Sequence, residues 1–142
     1  LGFFVQQYVT KRESYSSASY VSNYMFVRAH SDTPTFASFA AGYTSSNPQS
    51  AAALLGTVGS RVVSLNQQKI TATGEPQQAV VSFTRQETNG GQVTTTRWTA
   101  TMKFYYTKVA ITQVVDTTTG KHGTEIEDPQ FQVVSYELAQ AQ

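Results

Sequence analysis

Cysteine is absent from the chain, so it has no disulfide, no thiolate metal site and no thiol nucleophile, and it is compatible with either redox compartment. Histidine occurs only at His30 and His122, far apart and outside any HExxH spacing, which removes a zinc hydrolase. A surplus of charge of one sign is missing as well. Ten basic against nine acidic side chains leave a formal charge of +1, with no broad field to draw in nucleic acid or an anionic membrane surface. No apolar run approaches the roughly 20 residues that a spanning helix requires, and no signal peptide with a basic start is visible. The GxSxG elbow, the GxxxxGK[ST] loop and the GxGxxG turn do not occur, which excludes their hydrolase, nucleotide and dinucleotide chemistry. The densest set of metal-ligating types, His122 with Glu125, Glu127 and Asp128, sits in a glycine- and threonine-rich loop and reads as a solvated face. No metal, cofactor or catalytic residue is assigned.

What remains is a chain of 142 residues, enough for one domain, burying roughly two-thirds of the surface its unfolded form exposes. It opens on "LGFFVQQYV", already patterned, as a segment trimmed from a longer protein would. Residues 1–56 read as helical. Leu1, Phe4, Val5, Tyr8, Val9, Arg12 and Tyr15 recur at three-and-four spacing, and the pattern restarts at Tyr20 after a serine cluster and ends near His30. Thr33 before Pro34 announces a third helix stopped by Gly42, and Asn47 before Pro48 a short fourth closed by Gly56.

From 58 to 138 the spacing alternates. Arg61 to Ile70 and Gln78 to Glu87 read as strands, "TNGG" as a hairpin with Asn-Gly at its centre, and "TTRWTATMKFYY" as a strand. Asp128 and Pro129 mark a turn, Phe131 to Leu138 a last strand, and 139–142 a polar tail. Helices followed by antiparallel strands predict an α+β domain with helices packed on one face of a curved sheet. Trp98, Ala100, Met102, Phe104, Val81, Phe83 and Val133 are the expected inward positions. None is titratable, which weakens an enzyme with a buried general base. Glu13, Glu75, Glu87 and Glu137 are expected to be exposed.

"YVTKRESY", Tyr8 to Tyr15, places Arg12 beside Glu13, so on a helix each must find its own partner. This stretch resembles the Y-V-x-x-R-E-x-Y segment of the VirB-type inner-membrane assembly factor of bacterial type IV secretion systems, the eighth VirB protein. The likeness continues in order through "NPQS", "VVSFTR", "RWTATMKFYY" and "DPQFQVVSYEL". In the last of these, Asp128 to Phe131 replace the family's asparagine-proline-leucine-glycine-phenylalanine turn. The resemblance implies a nuclear transport factor 2-like cone and a non-enzymatic periplasmic scaffold. It implies a membrane anchor ahead of the domain, homo-oligomers that are often dimers, and contacts with other channel subunits. Two alternatives stay open: a small-ligand or enzymatic domain on the same cone, and an unrelated secreted interaction module. The stripe of Leu1, Phe4, Val5 and Tyr8 holds more apolar bulk than one short helix needs to dock, and is the expected self-association surface. Arg12 is expected to fasten the helix to the sheet through Glu137 or a backbone carbonyl.

Overall fold

A computed structural model describes residues 1–111 and 126–141. Four helices come first: α1 (Gly2–Glu13), α2 (Tyr20–Ala29), α3 (Thr33–Tyr43) and α4 (Ala51–Leu55). Four strands follow: β1 (Ser60–Thr71), β2 (Gln77–Asn89), β3 (Gln92–Ile111) and β4 (Ile126–Gln140). They form an antiparallel meander in chain order. The expected α+β class and helix-then-sheet order hold. The loop expected between the last two strands, and with it His122 and Glu125, lies outside the described residues.

Period-2 alternation selects the covered face. Ala79, Val81 and Phe83 on β2, Ala100, Met102 and Phe104 on β3 and Val133 on β4 are all fully buried, whereas Trp98 is only partly so. Val5, Tyr8 and Val9 of α1 close the core from the helix side. Two irregularities interrupt the sheet's register, one extra residue at Asn66 of β1, between Leu65 and Gln67, and one at Val134 of β4, opposite the Lys103–Phe104 step of β3. The link between α2 and α3 is tied to β4 by backbone bonds, Val133 N–H to the His30 carbonyl at 2.7 Å and Asp32 N–H to the Val133 carbonyl at 2.9 Å.

Several local signals resolve one or more residues from where the sequence puts them. The cap of α3 is Asp32, whose carboxylate accepts from the Thr35 N–H at 3.0 Å, rather than Thr33. The cap of α4 is Ser50, which accepts from the Ala53 N–H at 3.1 Å, rather than Asn47. Gly90 and Gly91, at φ +60° and +85°, occupy the hairpin centre, and Asn89 pairs with Gln92 instead of turning. Asp128 and Pro129 do not turn either: they continue β4, opposite Val109 and Lys108. β4 is an edge strand, where a proline need not break a ladder. Ala139 and Gln140 likewise belong to β4, opposite Thr99 and Trp98, not to a loose tail.

Phe104 is fully buried, 5.2 Å from the Phe131 ring. Phe104→Ala should cost on the order of 3 to 5 kcal/mol in urea unfolding, the usual range for emptying an aromatic core position. A loss under about 1 kcal/mol would mean that the sheet face is not the core.

Candidate functional site

The last turn of α1 brings two opposite charges to the mouth of the sheet. Arg12 lies one helical turn from Tyr8, and its Nη1 donates to the Tyr8 hydroxyl at 3.0 Å and to the Thr35 carbonyl at 3.3 Å. Tyr8 in turn shares a 2.6 Å hydrogen bond with Ser31. Above the guanidinium stands the Tyr136 ring, 4.1 Å from centroid to carbon, with Phe39 at 5.5 Å and Tyr8 at 5.9 Å. Arg12 is therefore caged by rings, each a cation–π partner. It meets neither Glu137, which is exposed on the opposite face of β4, nor any other carboxylate among the described residues. Its helix-to-sheet contact is made through Tyr136, the neighbour of Glu137, and its carbonyl contact through Thr35.

Glu13 overturns the expectation of an exposed charge. It is buried, with its Oε2 accepting from the Tyr136 hydroxyl at 2.7 Å and its Oε1 facing Arg85 Nη1 at 3.3 Å. Burial pushes its carboxyl above the usual glutamate value, with Tyr136 and Arg85 opposing the shift. Burial and the adjacent Glu13 hold the Tyr136 phenol neutral, well above its ordinary range, which suits it as donor. Arg85 lies over the indole of Trp98 at 4.2 Å, and burial lowers its affinity for its proton. Beside it Arg61 donates through Nε and Nη2 to Glu87 Oε2, at 3.0 and 2.9 Å.

These groups surround a cavity of about 290 Å³ between α1, α3 and strands β1, β2 and β4, lined by Arg12, Glu13, Phe39, Gly42, Tyr43, Arg61, Arg85 and Tyr136 among others. Its chemistry is that of a basic, ring-walled hollow. Among the described residues no His, Cys, Asp or Glu cluster could hold a metal ion. Spacing could not reveal the group, because Arg85 and Tyr136 reach Glu13 from 72 and 123 residues away.

The stripe on α1 is divided. Val5 and Tyr8 are fully buried in the domain's own core and are not surface, which corrects the expectation for those two. Leu1 and Phe4 are partly buried, Phe4 among Tyr106, Phe131 and His30. The exposed aromatic of α1 is Phe3, at 66%.

The raised Glu13 pKa has a signed consequence. The folded protein holds this proton more tightly than the unfolded chain, so the associated stability is complete below the unfolded value near 4.5 and fades as pH rises through the folded one. Glu13→Gln cannot ionise. Its unfolding free energy relative to wild type should therefore improve as pH climbs from acid to neutral. A difference that does not vary with pH would show that Glu13 titrates as it does in the unfolded chain.

The chain superimposes on the VirB8 protein of Agrobacterium tumefaciens with a TM-score of 0.75 at 19% identity, over 99% of this chain and 90% of that one. The soluble domain of the TrwG type IV secretion protein from Bartonella grahamii gives 0.73 at 18%, over 98% and 91%. TraE, in complex with 2-(2-furyl)isonicotinic acid, gives 0.72 at 20%, over 99% and 94%. No curated protein sequence matches. Likeness at these identities establishes the fold, the helix-covered cone. The family profile described as VirB8 protein matches residues 2–116, most of the chain. On that match the chain belongs to the VirB8 family of type IV secretion components.

Proposed function

We propose that this domain is a non-enzymatic scaffold on the periplasmic side of the inner membrane, joining copies of itself and other subunits of a secretion or conjugation channel. Membership of the VirB8 family carries the proposal. The buried charges agree with it. Glu13 has one oxygen on Tyr136 and the other on Arg85, contacts that give its burial a structural role in fixing α1 to the sheet. Among the described residues no helix is long and apolar enough to cross a membrane. Contact with the membrane would then come through an anchor outside this sequence, and tethering would raise the local concentration of neighbouring domains.

Self-association is assigned to the outer side of α1. Phe3 stands exposed next to Phe4, with ring centroids 6.0 Å apart, and Leu1 completes the apolar end of the helix. In a two-fold pair this patch meets itself, so a charge introduced there opposes its own copy. Phe3→Arg should weaken the dimer about tenfold or more, equivalent to about 1.4 kcal/mol. Because the side chain is exposed, unfolding free energy should stay within about 0.5 kcal/mol of wild type. Sedimentation velocity over a concentration series reads the first and urea unfolding the second. A wild-type domain that stays monomeric to millimolar concentration would sink the self-association.

A second reading is favoured by the cavity. TraE, on the same fold, is known in complex with a ring-bearing carboxylic acid. The hollow between α1 and α3 here has three arginines and aromatic walls, the furnishings such an acid needs. Under this reading the domain also binds a small acid without acting on it.

A further inference from the structure

We propose that the last part of β4, Tyr136 to Gln140, pairs edge to edge with the same segment of a second copy, joining two four-stranded sheets into one across a two-fold axis at Leu138. This surface is additional to the one assigned to α1.

The two edges of the meander, β1 and β4, are finished differently. An open edge is a template for another strand, and proteins blunt it with bulges, charges, proline or cover. β1 exchanges backbone bonds with Tyr15 at Arg61, 2.9 and 2.8 Å long, bulges at Asn66 and carries Lys69. On β4 the same devices stop at Val134: they are Pro129, the backbone bonds of Val133 to His30 and Asp32, and the extra residue at Val134 itself. From Ser135 to Gln140 the pairing is regular and the sequence holds neither proline nor lysine.

Ladder parity identifies the free groups. Ala141 donates its N–H to the Arg97 carbonyl at 2.9 Å, so the odd-numbered residues from Ser135 onward turn their backbone groups toward β3. Tyr136, Leu138 and Gln140 turn theirs the other way, where no backbone group of a described residue meets them.

This edge is compatible with itself. With Leu138 on the axis, antiparallel pairing sets Tyr136 against Gln140 and Leu138 against its own copy, each pair exchanging N–H and carbonyl bonds. Glu137, the one charge in the segment, then lies opposite Ala139. An axis at Glu137 would instead set two carboxylates side by side, which is unfavourable. Leu138 is 40% exposed in the single domain and is covered by its counterpart in the pair. The exposed residues of α3, which packs against β4, are Thr33, Pro34, Ala37, Ser38, Ala41 and Gly42. None is large, so that helix leaves room for a strand beside the edge. Two self-complementary surfaces on one domain give each copy two neighbours, and assembly need not stop at a pair.

Because the chain lacks cysteine, single introduced cysteines report the contact. Leu138→Cys should form a disulfide-linked dimer in air at least tenfold faster than Val58→Cys, a position 83% exposed and ahead of the sheet. Cα atoms of a hydrogen-bonded antiparallel pair stand about 5.5 Å apart, within reach of a disulfide. Equal rates overturn the pairing. An equimolar mixture of Glu137→Cys and Ala139→Cys should give mainly the mixed dimer by mass spectrometry, and an excess of either self-linked dimer overturns the register. Sedimentation velocity on Phe3→Arg, Leu138→Lys and the double variant separates this surface from that of α1. Leu138→Lys should weaken the association that remains in the Phe3→Arg domain at least tenfold, with urea unfolding unchanged because the side chain is exposed. No remaining association up to millimolar concentration, or association indifferent to Leu138→Lys, overturns the β4 edge and leaves the α1 surface standing. Association that Leu138→Lys alone abolishes and Phe3→Arg does not move upholds the edge and sinks the assignment to α1.

Discussion

Glu13 accepts a hydrogen bond from Tyr136 of β4 at 2.7 Å and faces Arg85 of β2 at 3.3 Å, at the C-terminal end of α1. A helix C-terminus is the wrong end for a negative charge, since the aligned peptide dipoles already make it electronegative. Out of water, the carboxylate is tolerable only with its partners in place. The requirement fixes geometry, because an N–H and an O–H from different strands must converge on one helical residue. Removing Arg85 would take away the counter-charge and removing Tyr136 the hydrogen-bond donor of a buried carboxyl, so the rotation of α1 about its axis and its height above the sheet are specified together.

Setting α1 in that way determines what its other faces meet. Arg12, the next residue back, is carried under the Tyr136 ring, and Tyr8, one turn earlier, reaches Ser31 at the junction of α2 and α3. That junction is bonded through its backbone to Val133 of β4. Tyr136 thus serves both charges of the pair, its hydroxyl on Glu13 and its ring on Arg12. The Arg12–Glu13 dipeptide, whose side chains cannot pair with each other, shares one tyrosine from the far end of the chain as a common partner.

The inward face of the sheet was legible because strand alternation is a local property: Val81, Phe83, Ala100, Met102, Phe104 and Val133 follow from a period of two. Trp98 fits the same period but lies nearer the end of the sheet, where cover thins, and it becomes a platform for Arg85. Glu13 was not legible. Its burial depends on partners that no spacing rule reaches, and an acidic residue on a helix is exposed in most proteins. Arg12 was half legible. The helix periodicity pointed it at the sheet, but alternation along β4 decides between Tyr136 and Glu137, and only tertiary register settles which faces inward. The α1 stripe divides between core and surface for a related reason. Whether apolar bulk docks at home or on a second copy depends on how much sheet lies beneath it, and β3 and β4 run long enough for Tyr106 and Phe131 to receive Phe4. At Asp128–Pro129 a strong local turn signal yields to pairing along β3, as an edge strand permits.

The two faces of the sheet divide the work of the domain. On the covered side, Arg61, Arg85, Glu13 and Glu87 cancel one another within a few ångströms, which leaves the formal surplus of that group at Arg12. On the other side, Ser64, Arg97, Lys103, Tyr105, Gln132 and Glu137 face solvent, with hydroxyl, amide and isolated charged groups but no concentrated field. A domain of net charge +1 arranged in this way has little long-range steering to offer a partner. In the proposed scaffold, recognition by the exterior would rest on shape and on apolar residues such as Phe3 and be correspondingly insensitive to salt. Among the described residues both ion pairs gather at the hollow, where a guanidinium without a carboxylate partner counts for more than it would on the open surface.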